Sequence, residues 1–223
     1  MSVSLRNASS RIIEVGCWAV GVILIALYFA ARVGGELERA HGIALFAEAR
    51  AATRLAADEI VLDPDATVSG RPLPASPETP REASPASTRA QGFELLPVAL
   101  LRIPGVGLEV PVYADTSERN LNRGAGWVEG TAAPGEIGNI AIAAHRDGHF
   151  RPLKDVAVGD VLELESLLKK RSYRVVELSI VDPRDISPLG ATENAVVTLV
   201  TCYPFYFVGN APQRYIVRAL AID

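Results

Sequence analysis

Cysteine is scarce in this chain: two occur among 223 residues, Cys17 and Cys202. One lies in a long apolar run and the other far downstream at the end of a strand-like stretch. That separation in character argues against pairing them and excludes a scaffold stapled by disulfides. A basic surplus is missing too. Lys and Arg number 22 against 26 Asp and Glu, a net charge of -4, so no broad cationic surface for nucleic acid is expected. The acidic excess is too small to point to a partner. Charged residues are absent from 15 to 31, VGCWAVGVILIALYFAA, and no long internal repeat is evident.

What is present divides the chain into four parts. With Ile12, Ile13 and Val33, the uncharged run is long enough to cross about 30 Å of hydrocarbon as a helix. A cleaved signal peptide fits poorly, because Phe29-Ala30-Ala31 puts a large residue where a small one is needed. A lipid-attachment reading of Gly16-Cys17 fails because the apolar run follows that cysteine. Residues 1–33 are therefore expected to be a cytoplasmic N-terminus and an uncleaved transmembrane anchor. Arg6 and Arg11 favour an inside N-terminus, although Arg32 on the far side weakens the bias. Residues 34–62 place Leu37, Ile43, Leu45, Ala49, Ala52, Leu55 and Ile60 at loosely helical spacing, which predicts an amphipathic juxtamembrane helix, read as a solvated stalk. In residues 63–92, Pro64, Pro72, Pro74, Pro77, Pro80 and Pro85 interrupt a Ser/Ala/Thr-rich stretch. Proline fixes φ and removes a donor, so a semi-rigid linker is expected there.

Residues 93–223 read as a separate domain of short strands. PVALLRI (97–103) and LEVPVY (108–113) flank a Pro-Gly turn, and Ser117–Leu121 suits a brief helical turn. IGNIAIAAH (137–145), DVLELES (160–166), YRVVELSIVD (173–182), NAVVTLVTC (194–202) and QRYIVRALAID (213–223) follow. Many short strands with turn signals and little helix predict an all-β barrel or sandwich, and about 130 residues suffice to bury a core.

Three side chains in this domain have complementary chemistry. Cys202 ends an apolar strand, a rigid place from which to present a thiol, and thiolates act as nucleophiles when cationic groups are near. A lone cysteine is also commonly a small buried hydrophobe. His145 ends another strand, where apolar residues give way to polar ones, and an imidazole can exchange protons near neutral pH. Arg214 opens the last strand, and its guanidinium can donate to the oxyanion formed when a thiolate attacks a carbonyl. Surface roles are the ordinary alternative for the last two. A zinc site from His145, His149 and Cys202 lacks a fourth ligand motif. Glu136, Asp147 and Asp155 form no convincing calcium cluster.

Longer stretches carry a resemblance. TLVTCYPFYFVGNAPQRYIVRA (198–219) and AIAAHRDGHFRPLKDVAVGDVLEL (141–164) resemble the signature segments of sortases. LRIPGVGLEVPVY (101–113) and GWVEGTAAPGEIGNIAI (126–142) are also similar, so the likeness covers nearly all of residues 98–223. The CYPFYFVG continuation is most like class D and related single-domain sortases, including Gram-negative ones. Ala144 stands where many relatives have glycine, and Asn210 where some have proline.

The resemblance implies a closed eight-stranded sortase-type β-barrel behind the N-terminal helix. It places the nucleophile at Cys202, the acid/base at His145, oxyanion stabilisation at Arg214 and a substrate contact at Thr201. It further implies a cysteine transpeptidase that requires no metal or organic cofactor, anchored once in the cytoplasmic membrane with its catalytic domain outside. Such an enzyme cleaves an LPxTG-like C-terminal signal of a secreted protein after threonine. It transfers the acyl group to an amine on the envelope or on another protein. A thiol hydrolase using the same acyl-enzyme and a non-catalytic, membrane-tethered binding module are the alternatives.

Overall fold

The computed structural model describes residues 3–62, 96–207 and 209–222; the expected linker at 63–92 lies outside them. Helix α1, Val3–Leu62, is unbroken. Trp18, Val20, Val22, Ile23, Leu24, Ile25, Leu27, Tyr28 and Phe29 are each more than half exposed. They follow one another closely enough to surround the helix, a pattern suited to lipid rather than to one buried stripe. By length and composition, α1 can cross a membrane. The chain divides into two compact units, residues 1–40 and 41–223.

Within the second unit the later part of α1 is not a solvated stalk. Phe46 is only 2% exposed. A Cβ at Gly42 would come within 2.7 Å of the Tyr113 hydroxyl and 2.9 Å of Pro111 Cγ, so a residue without a side chain lets the helix approach the barrel this closely. Arg50 pairs with Glu165, which also accepts from Arg102 Nη1 at 2.6 Å. These contacts fall on the face carrying Phe46 and Arg50, where the sequence pattern is only loosely periodic.

The barrel has eight strands: β1 Ala99–Ile103, β2 Leu108–Tyr113, β3 Ala125–Trp127, β4 Asn139–Ala143, β5 Val161–Ser166, β6 Lys170–Val181, β7 Val196–Tyr203 and β8 Gln213–Ala221. Helix α2, Glu118–Arg123, links β2 and β3. The closed order is β1-β2-β3-β4-β7-β8-β6-β5. Strand β3 escapes a reading by periodicity because three residues cannot display one. It is specified by close approach instead, since a Cβ at Gly126 would lie 2.3 Å from the Asp115 carbonyl oxygen. Strand β6 begins at Lys170 rather than Tyr173, because Lys170, Arg171 and Ser172 continue the ladder opposite Glu165, Leu164 and Glu163.

Alternation along the strands supplies the core. Ile140, Ile142 and Ala144 from β4 and its extension join Val197 and Leu199 of β7 and Val217 and Ala219 of β8 inside the barrel. Closing the barrel removes the open sheet edges that would otherwise invite pairing with another chain. The buried Asn139 side chain donates to the carbonyls of Pro188 and Gly190, each at 2.9 Å. Its oxygen accepts from Thr198 Oγ1 at 2.7 Å. This amide pins the β6–β7 connection over the outer face of the sheet.

Candidate active site

Two pairings assemble the site. Strands β4 and β7 are parallel, with Ala143 beside Val200. The alignment continues past β4: Ala144 N–H donates to Val200 O at 3.3 Å, and Thr201 Oγ1 donates to Ala144 O at 2.8 Å. His145, the next residue, therefore lies alongside Cys202. Strands β7 and β8 are antiparallel, with Cys202 directly opposite Arg214. Residues opposed in this way share a face, with Cβ atoms about 5 Å apart.

The face is the outer one. Ala144, Leu199 and Val217 belong to the core, and side chains alternate along a strand, so Cys202 and Arg214 point away from it, and His145 follows the inward-facing Ala144. All three are partly exposed. His145 stands two residues beyond the end of β4 rather than on it, where the chain turns and the imidazole is 40% exposed. Its Nε2 lies 3.4 Å from Glu118 Oε2, on α2. Arg214 Nη1 donates to the carbonyls of Gln213 at 3.1 Å and Ala211 at 3.4 Å, which hold the guanidinium near the start of β8.

Thr201 is 3% exposed, and its hydroxyl donates to Ala144 O. Alternation places it on the face opposite Cys202, so it braces the segment leading to His145. Thr201→Val keeps the shape and removes the donor. This variant is expected to lose about 1–2 kcal/mol, read by thermal or urea denaturation; unchanged stability would show that the bond contributes nothing.

The residues after Cys202 are held by aromatic packing. Tyr203 stacks on Tyr215 at 6.1 Å, and Phe205 meets Tyr215 edge-on at 5.2 Å. Burial pushes the Tyr215 phenol above its ordinary pKa, with Tyr203 adding to the shift. Arg146, which the sequence reading passed over as part of a polar loop, is 5% exposed. A hydrogen bond from Arg146 holds the Asp147 carboxyl below the usual carboxylate range, with the charges of Arg146, Arg151 and His145 adding to the effect. His149 Nε2 is 3.4 Å from Asn122 O. Among the described residues, no group of three or more His, Cys, Asp or Glu is placed to hold a metal ion.

Sortase domains match residues 101–222, more than half of the chain. The chain belongs to the sortase family. A Sortase D of Bacillus subtilis is 37% identical over 119 residues, covering 53% of this chain and 60% of that relative. The chain thus spans about three fifths of that sortase's length. Among solved structures, a Sortase D5 transpeptidase of Clostridium perfringens superposes with a TM-score of 0.53 at 27% identity, covering 63% of this chain and 90% of that one. A Streptococcus agalactiae sortase C1 superposes with a TM-score of 0.54 at 31% identity, covering 60% and 72%. The eight-stranded barrel is the sortase fold, and the class D likeness of the sequence is matched by sortase D relatives in both comparisons.

Proposed function

We propose that this sortase is a cysteine transpeptidase whose nucleophile, acid/base and oxyanion donor are Cys202, His145 and Arg214. The observation that supports this reading is the double pairing of β7, which sets Cys202 opposite Arg214 on β8 and aligns the segment leading into His145 with β7 as far as Ala144 and Thr201. In the first step the Cys202 thiolate adds to the carbonyl after threonine in an LPxTG-like signal. Arg214 donates hydrogen bonds to the oxygen as it gains charge. The C–N bond breaks, His145 gives a proton to the departing amine, and a thioester remains on Cys202. In the second step an amine attacks the thioester, His145 takes its proton, and the thiolate leaves. Splitting the transfer in two lowers each barrier and stores the acyl group between substrates.

The apolar first part of α1 supports a single membrane anchor, with the arginines before it inside and the barrel on the extracytoplasmic face. The substrate is then a secreted protein with a C-terminal sorting signal, and the acceptor an amine on the envelope or on another protein.

The test is to incubate the full chain in detergent with an LPxTG-type peptide library and excess amines, and to read the products by mass spectrometry. Ligated product dependent on Cys202 is expected. Cleavage that no amine diverts would replace this reading with a thiol hydrolase. No reaction with any peptide, together with a Cys202 that resists thiol-directed labelling, would leave a binding module.

A further inference from the structure

We propose that Arg146 is a positioning residue, which ties the segment carrying His145 to the loop that follows Cys202 and so sets how the two side chains face each other. The inference rests on the transpeptidase reading for its kinetic consequence, but its geometry stands apart from it. Register brings β4 and β7 together only as far as Ala144 and Thr201. Past that point β4 has ended, at Ala143, and β7 runs on beside β8 alone as far as Tyr203. Arg146 bridges the gap. Its Nη1 donates to Pro204 O at 2.7 Å and its Nη2 to Phe207 O at 2.8 Å. Nη2 also donates to Asp147 Oδ2 at 2.6 Å, and Nε to the same carboxylate at 3.2 Å.

A buried cation is costly unless it is paired and hydrogen-bonded. Here four of the five guanidinium N–H groups are occupied, one carboxylate supplies the opposite charge, and two carbonyls come from the far loop. The hydrogen bond to Asp147 raises the Arg146 pKa above its ordinary value against the opposing effect of burial; the charges of Asp147 and Cys202 add to the rise. A second strut runs outside the first. Arg151 Nη1 lies 3.4 Å from Asp147 Oδ1, and its guanidinium covers the Tyr206 ring at 5.5 Å. Both arginines follow His145, and both reach residues that follow Cys202. Only a planar fork serves two carbonyls and a carboxylate together; a lysine ammonium is a single point with three rotatable donors.

The experiment compares wild type, Arg146→Lys and Arg146→Gln as full chains in detergent. Thermal melts report folding, hydrogen exchange reports local order, and peptide–amine ligation gives kcat and KM. Both variants are expected to exchange faster at residues 203–207 while the strands β1, β2 and β5 exchange as in wild type. Their kcat is expected to fall about 10- to 100-fold, the scale of a small misplacement of reacting groups, with KM changed less than about threefold because the substrate contacts remain. Folded variants with wild-type exchange at 203–207 overturn the proposal, and so does wild-type kcat. If Arg146→Gln does not fold, Arg146→Lys, which keeps the buried charge, decides by the same two readouts. If the wild type itself ligates nothing, the transpeptidase reading has failed, and the exchange data still decide whether Arg146 ties the two segments.

Discussion

Cys202→Ala is expected to lower ligation by about 10⁴-fold or more, to the level left by binding and the remaining polar groups alone. The size follows from the chemistry. Without the sulfur no thioester forms, and the reaction falls back on direct attack by an amine or water, which His145 and Arg214 assist only in part. The fold is expected to survive. Cys202 faces outward, is partly exposed and does not belong to the core, so truncation leaves no buried cavity and changes stability by less than about 0.5 kcal/mol. A thermal melt beside the ligation assay separates the two effects. Cys17 is exposed on α1 and gives the internal comparison: Cys17→Ala should ligate at the wild-type rate. Full activity in Cys202→Ala would remove the covalent mechanism altogether.

Arg214→Lys is expected to lower kcat by about 10²-fold with little change in KM. The oxyanion exists only after the thiolate has attacked, so a donor aimed at it acts on the transition state and hardly on the bound substrate. Lysine keeps the charge but lacks the rigid fork, which here is set by the Ala211 and Gln213 carbonyls. If Arg214 served only to bind substrate, KM would rise and kcat would stay. If charge alone sufficed, Arg214→Lys would match wild type and Arg214→Ala would not. Steady-state kinetics on the three proteins distinguishes these cases.

Much of this molecule is written locally. The uncharged run at 15–31 announces a helix suited to a bilayer, alternation in DVLELES marks a half-buried strand, and the continuous apolar run of NAVVTLVTC marks a strand that is buried along most of its length. The resemblance of residues 198–219 to sortases named Cys202 and Arg214 together. Those two also stand on consecutive antiparallel strands, where facing one another takes no long-range information beyond the length of the intervening loop. Thr201 lies on the face opposite Cys202, because neighbouring residues in a strand point to opposite faces. Arg146 was passed over because a charged residue in a polar run reads as solvated, and nothing nearby in sequence announces the carbonyls of Pro204 and Phe207 that bury it. Glu118 left no signal either, since its approach to His145 depends on where α2 is carried.

By itself, then, the sequence determined the apolar helix and the positions of most strands, and it singled out Cys202, His145 and Arg214 as candidates. The tertiary structure decided that His145, 57 residues before Cys202 in the chain, lies beside it, that Arg146 is buried, and that the second part of α1 packs on the barrel through Phe46 and Arg50. The reason is physical. Periodicity records which face of an element meets an apolar surface, and it does so residue by residue. A parallel pairing such as β4 with β7, reached only after β5 and β6 have been laid elsewhere in the barrel, is fixed by closure of the whole sheet and leaves no mark in either strand alone.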